Sequence, residues 1–197
     1  MDEKLIEELL ERIIESGLGL DMSNPNLKGT PGRIARMWAR EFFSSADKGE
    51  EGFQNLTTFP NDKNYNQIIM LDRIHFVSMC SHHFLPFVGL AWVAYIPGAL
   101  LVGASKPARL ISFHSRKPQL QEALCHEVIE NFEQVVKPEA TFVLMRGIHG
   151  CMSDRGAAQY GGAGMMTSAV TGRFKSDGRA RSEAMDMVKL SLMMQQV

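Results

Sequence analysis

The sequence is poor in cysteine, and its charges nearly cancel. It has 3 cysteines among 197 residues. This number is small, and because it is odd the cysteines cannot all pair, so a secreted domain with a disulfide framework is not indicated. Lysine and arginine number 21 against 22 aspartate and glutamate, so no positive excess favours nucleic acid. No apolar run reaches the roughly 20 residues of a membrane span, and the N-terminus is acidic and amphipathic rather than a basic signal peptide. These absences predict a cytoplasmic, reduced protein that binds neither nucleic acid nor membranes.

Two common nucleotide-binding fingerprints are also missing. No glycine-rich stretch ends in the Lys-Ser or Lys-Thr of a P-loop, and none opens a helix as in a dinucleotide-binding fold. Internal repeats and low-complexity tracts are absent. A chain that is 45% hydrophobic and 22% charged is typical of a globular protein with a sizeable core. We expect a helical arm and linker over residues 1–66 and a catalytic domain over residues 67–197.

The arm is predicted from helical spacing of apolar residues. Residues 5–18 form one amphipathic pattern that ends near Gly17. Thr30 and Pro31 read as the cap and first residue of a second helix. Residues 44–66 are rich in glycine, asparagine and charge, and predict a long exposed loop.

The second part alternates between strand and helix patterns. Strands are predicted over residues 67–79, 88–96, 140–148 and 165–174, and helices from Ser105, over residues 118–136 and over residues 179–194. The strands should form one antiparallel sheet. Cys125, beside the apolar stripe of the middle helix, is predicted to be a small core residue.

Two short clusters rich in cysteine and histidine are the strongest sign of chemistry. Cys80 and His83 stand in a Cys-Ser-His-His stretch, and Cys151 stands in a later His-Gly-Cys stretch. Zinc binds thiolate sulfur and imidazole nitrogen, and a site with three protein ligands leaves a position for a water that the ion acidifies. His82 and His149 would remain free for proton transfer near neutral pH. From spacing alone, a disulfide between Cys80 and Cys151, or core cysteines beside satisfied histidines, remain alternatives.

Cations gather at one predicted helix start and on another helix. Ser105, Lys106 and Arg109 surround a helix N-terminus, where free N–H groups and the dipole favour phosphate. The alternative is an ordinary capped helix with surface cations. Arg33 and Arg36 lie on the second arm helix and by themselves indicate only a solvated face.

The motifs together resemble one family. The segments "NLKGTPGRIARMW", "CSHHFLPFVGLAWVAYIP", "GASKPARL", "KPQLQEAL" and "HGCMSDRG" occur in this order and are similar to the zinc-dependent GTP cyclohydrolase I family over about residues 26–174. The resemblance implies a tunnelling fold (T-fold) of the α+β class, with a four-stranded antiparallel sheet, helices on one face and assembly into an oligomeric barrel. It also implies a homodecamer of two pentamers with active sites between subunits.

The resemblance assigns roles to particular residues. It implies a catalytic Zn²⁺ held by Cys80, His83 and Cys151, with His82 and His149 as catalytic histidines. It implies that guanine is bound by Gln121 and Glu122, and the triphosphate by Ser105, Lys106, Arg109, Arg155, Arg33 and Arg36. Activated water would attack C8 of GTP while His149 protonates N7, and the products would be formate and 7,8-dihydroneopterin triphosphate.

One departure lies inside the metal motif. Ser81 stands where the family usually has glutamate, which changes the groups that orient the metal ligands. Two alternatives follow from this departure and from the cluster itself. One is a related tunnelling-fold enzyme with an altered purine or pterin substrate, and the other is a non-catalytic oligomer that binds zinc or nucleotide.

Overall fold

The computed structural model describes residues 1–48, 53, 56–159 and 162–194, and shows an α+β protein. The helices are α1 (Glu3–Arg12), α2 (Thr30–Met37), α3 (Lys106–His114), α4 (Gln121–Val136), α5 (Gly150–Ser153), α6 (Gly172–Ser176) and α7 (Gly178–Met193). The strands are β1 (Thr58–Pro60), β2 (Ile69–Cys80), β3 (Pro86–Ile96), β4 (Leu100–Val102), β5 (Pro118–Gln119), β6 (Ala140–His149) and β7 (Met165–Val170). Within the described ranges, no helix combines the length and apolar character needed to cross a membrane.

The main sheet has the strand order β5-β2-β3-β6-β7. The four long strands pair antiparallel, as predicted. A fifth strand was not predicted: Pro118 and Gln119 pair in parallel with the end of β2. The helix expected from Pro118 therefore begins at Gln121, because Leu120 is still extended as its cap.

Helices cover both faces of this sheet, so the expectation of helices on one face was wrong. On β3, Ala91, Val93 and Tyr95 face a core that includes residues of α3 and α4. The alternate residues of β3 face a second core that includes Phe174, Ala184 and Val188. The physical reason is visible in the sequence of β3, which is apolar at every position from 90 to 96 and therefore fits burial on both faces.

The last predicted strand is also shorter than expected. It ends at Val170, and residues 172–176 form α6 instead of continuing to Phe174. Gly172 has φ 48°, and a Cβ there would lie 2.0 Å from the carbonyl oxygen of Glu139. This backbone position therefore requires glycine and turns the chain from the sheet into the helices of the second face.

The arm packs as two helices, α1 against α2. Each continues into a π-helical turn, Ile13–Gly17 and Trp38–Phe42. The cap of α2 is Gly29 in the left-handed conformation, one residue earlier than the predicted Thr30. The division of the chain after residue 66 stays a prediction.

The predicted loop over residues 44–66 was only partly correct. Thr58–Pro60 forms β1, which pairs antiparallel with β4, and Leu56 is buried. Residues 49–52, 54 and 55 of this prediction lie outside the described residues.

Candidate active site

The three side chains predicted to bind a metal lie close together in the structure, and we call them the metal cluster. One ligand atom each from Cys80, His83 and Cys151 lie within 4.8 Å of one another. Ligands around a tetrahedral zinc lie about 3.5–3.8 Å apart, given metal–ligand bonds of roughly 2.0–2.3 Å. The three side chains therefore match a metal site with two sulfurs and one nitrogen. Both cysteines are free thiols, so the disulfide alternative is not what the structure shows.

Local backbone geometry presents the first two ligands. Cys80 ends β2, and the tight connection to β3 is closed by hydrogen bonds from Cys80 N to the Leu85 carbonyl and from Phe84 N to the Cys80 carbonyl, both 2.9 Å. Phe84 has a positive φ of 52°. The turn leaves His82 and His83 exposed, while Cys80 is buried at its base.

A one-turn helix supplies the third ligand. β6 ends at His149, and α5 follows at once, so Cys151 comes back towards Cys80 beside the end of the sheet. Burial, and then the proximity of Cys80, raise the pKa of the Cys151 thiol above its usual value, while Arg155 opposes them. A bound cation would reverse this preference, because a coordinating thiol loses its proton.

His149 is held rigidly next to this cluster. Its ring stacks on Phe87 with centroids 4.5 Å apart and planes at 1°, which follows from the pairing of the two residues across β3 and β6. Its Nε2 lies 2.9 Å from Oε1 of Gln121. Burial lowers the pKa of His149, and the negative charge of Glu122 partly opposes this.

The first turn of α4 carries both predicted guanine-binding residues, in different environments. Glu122 is exposed, and its charge acts on His149. Gln121 is only 1% exposed, and its side-chain amide donates hydrogen bonds to groups of β6 and β7. Ser81 is exposed, and its side chain makes no hydrogen bond within the described part of the chain.

The predicted phosphate-binding residues divide into two groups. Arg155 is exposed and close enough to the metal cluster for its charge to act on Cys151. Ser105, Lys106 and Arg109 lie at the start of α3, after β3 has run its full 11 residues away from the turn. At about 3.3 Å per residue, that strand spans roughly 30 Å or more, so Ser105 and Lys106 lie at the opposite end of the sheet from Cys80.

The arm arginines are solvent-exposed. Arg33 and Arg36 lie on α2, and the guanidinium of Arg33 donates to the Lys28 carbonyl and the Thr30 hydroxyl. Within the described residues, neither arginine makes a hydrogen bond to Cys80, His83 or Cys151.

Two site residues were missed by sequence reasoning. Phe87 stacks on His149, and Thr167 of β7 accepts from the Gln121 amide at 3.0 Å. Both are ordinary strand residues in the sequence. Only the strand register shows where they act, and no motif of catalytic residue types marks them.

Comparisons with known proteins agree with this geometry. A family model described as GTP cyclohydrolase I matches residues 5–189. The chain is 35% identical to GTP cyclohydrolase 1 of Bacillus subtilis (strain 168) over 96% of this chain and 97% of that protein. It is 35% identical to GTP cyclohydrolase 1 of Sulfurihydrogenibium sp. (strain YO3AOP1) over 95% and 96% of the two chains. It is 37% identical to GTP cyclohydrolase 1 of Deinococcus radiodurans over 94% of this chain and 84% of that one. This chain therefore belongs to the GTP cyclohydrolase I family.

Proposed function

We propose that this protein is a zinc-dependent GTP cyclohydrolase I that opens the imidazole ring of the guanine in GTP, releases formate and forms 7,8-dihydroneopterin triphosphate. The observation that carries the proposal is the meeting of Cys80, His83 and Cys151 within 4.8 Å. Catalytic zinc sites typically have three protein ligands, as here, whereas closed structural zinc sites have four. The family match over nearly the whole chain supports the same reaction.

Zinc would be held by these three side chains and would supply Lewis acidity and an acidified water for hydrolysis at guanine C8. The two remaining histidines would then handle protons. His149 is fixed by stacking and by a hydrogen bond, which suits it to protonate N7 of the purine. His82 is exposed on the turn beside His83, where it can exchange protons with solvent and substrate.

Guanine would be selected by Glu122. Its exposed carboxylate lies on the first turn of α4, near His149. A carboxylate accepts hydrogen bonds from N1–H and the 2-amino group of guanine together, and adenine offers no such pair.

The triphosphate would be bound by cations from two copies of the chain. Arg155 lies near the metal cluster, whereas Ser105 and Lys106 lie at the other end of the sheet. A single chain therefore cannot bring all of them to one GTP. A neighbouring subunit supplying the start of α3 would complete the site, and Arg33 and Arg36 remain weaker candidates for it.

This requirement supports the oligomeric barrel implied by the family, a tunnelling fold assembled as a homodecamer of two pentamers. An apolar area of the sheet face that is not covered by α7 includes Val77, Val88 and Met166, which are 46%, 44% and 57% exposed. Such patches mark interaction surfaces.

Thiolate ligands stay reduced in a reducing compartment, which supports a cytoplasmic location.

The test is turnover of GTP by the zinc-loaded protein, followed by formate release and by pterin fluorescence after oxidation. Cys151→Ser should lose zinc, and its turnover should fall at least about a hundredfold. A metal ligand contributes more to metal affinity and activity than the groups that merely orient it. Cys125→Ser is the matched control, since Cys125 is buried on α4 and lies outside the cluster. A parent enzyme that binds zinc and forms no pterin would refute the proposal. Formate without pterin would show a reaction that stops after ring opening.

A further inference from the structure

The side chain of Gln121 is turned entirely into the protein. It is 1% exposed although it occupies the first position of α4. Its Nε2 lies 3.3 Å from the Met145 carbonyl, 3.2 Å from the Met165 carbonyl and 3.0 Å from the Thr167 hydroxyl. A buried amide with three such neighbours has no donor left for guanine.

These neighbours determine which way the amide points. A carbonyl oxygen can only accept a hydrogen bond, so the –NH₂ group of Gln121 must face Met145 and Met165. The amide oxygen of Gln121 must then face Nε2 of His149, 2.9 Å away. An amide oxygen only accepts, so Nε2 of His149 carries the proton of this hydrogen bond.

The surroundings of the pair leave little freedom. The His149 ring is stacked flat on the buried Phe87. Gly147 leaves the space for the contact, since a Cβ there would lie 2.4 Å from Oε1 of Gln121. Nδ1 of His149 makes no hydrogen bond within the described residues and is not among the enclosed unpaired atoms.

We propose that Gln121 is a positioning residue that keeps a proton on Nε2 of His149, so that Nδ1 is the nitrogen that exchanges protons with the substrate. The proposal rests on the proposed function and names the working atom of its proton donor. When His149 gives a proton to N7 of guanine, the N–H bond at Nδ1 breaks and its electron pair returns to Nδ1. Nε2 keeps its own proton and its bond to Gln121 throughout.

The tautomer is measured directly by solid-state ¹⁵N NMR of the zinc-loaded protein labelled in its histidine rings. The His149 signals are identified by their absence in His149→Asn. In the neutral His149 ring, we expect a protonated Nε2 and an unprotonated Nδ1. The reverse pattern would overturn the proposal. Because this readout needs no turnover, it separates failure of the proposal from failure of the proposed function.

Kinetics distinguish positioning from guanine binding. Gln121→Met keeps the volume and removes the acceptor, and we expect kcat to fall roughly ten- to a hundredfold with KM for GTP changed less than about threefold. A contact with guanine would instead raise KM. Gln119→Met is the control, since Gln119 is another buried, hydrogen-bonded glutamine that does not touch His149. An equal loss of kcat in both variants would show a merely structural role and overturn the proposal.

Discussion

At the scale of single residues, a glycine without a side chain allows two residues of the candidate site to come into contact. Gly147 lies in β6 two positions before His149, opposite Gly89 of β3. The close approach of Gln121 to His149 exists because Gly147 has no Cβ. Its neighbours are held by the sheet and by α4, so they cannot give way cheaply.

Gly147→Ala should therefore destabilise the protein and weaken catalysis together. Placing a Cβ 2.4 Å from Oε1 of Gln121 forces strain that typically costs about 1–3 kcal/mol. Urea unfolding and kcat measure the two effects. Gly178→Ala is the matched control, because open space surrounds Gly178 at the start of α7. That change should stabilise by up to about 1 kcal/mol, and a Gly147 variant as stable as the parent would contradict the assignment.

Glu127 gives a prediction for pH. Burial raises its pKa, but hydrogen bonds from His114 and Lys117 outweigh this and bring the pKa below 4.5. The unfolded state therefore binds a proton more readily than the folded state. The stabilisation is present above about pH 4.5 and is lost as pH falls through the lower folded value.

Glu127→Gln should flatten the decline in unfolding free energy between about pH 5 and pH 3, measured by urea titration at each pH. Glu130→Gln, an exposed carboxylate on the same helix, should leave the slope as it is. An unchanged slope in Glu127→Gln would show that this carboxylate carries no stabilisation.

At the scale of elements, helices from both ends of the chain support the sheet. Trp38 and Phe43 of the arm pack against Phe84 in the turn between β2 and β3. Their ring centroids lie 6.3 and 5.6 Å from that of Phe84. At the other end of the chain, α7 covers the second face of the sheet. There the Trp92 indole donates to Ser191 at 2.8 Å inside the core.

Ser191→Ala should detach this anchor of α7. It leaves a buried indole N–H without an acceptor, which costs about 1–3 kcal/mol. Thermal and urea unfolding measure the loss. Ser182→Ala is the control on the exposed side of the same helix, where alanine should be neutral or slightly stabilising. Equal stability of the two variants would mean that the hydrogen bond does not hold α7.

At the scale of the whole molecule, the two halves of the proposed site lie at opposite ends of one sheet. The metal cluster lies where β2 ends and β3 begins, and the start of α3 lies beyond the other end of β3. Symmetric assembly can join such halves from different copies.

Mixed oligomers test this arrangement. Lys106→Ala and Cys151→Ser should each be nearly inactive alone, because each breaks one half of every site. Co-expressed in equal amounts, they should regain activity in about one quarter of the sites, those that combine two intact halves. His83→Ala with Cys151→Ser damages the same half and should regain nothing. No recovery in the first mixture would place both halves within one chain.

The sequence by itself determined which three side chains could bind a metal, and it determined most of the helices and strands. Residue type predicts Cys80, His83 and Cys151 as metal ligands, because zinc in proteins is bound mainly by cysteine sulfur and histidine nitrogen. The four long strands followed from apolar runs bounded by turn residues. Local patterns carry this information because ligand chemistry and strand propensity belong to single residues and short segments.

Only the tertiary structure decided what depends on contacts between distant segments. The pairing of Pro118 and Gln119 with β2 delayed the start of α4, and packing of α7 buried the second face of the sheet. The burial of Gln121 against β6 and β7 was equally invisible in the chain order. These features arise from strand register and close packing, which join residues more than 20 positions apart.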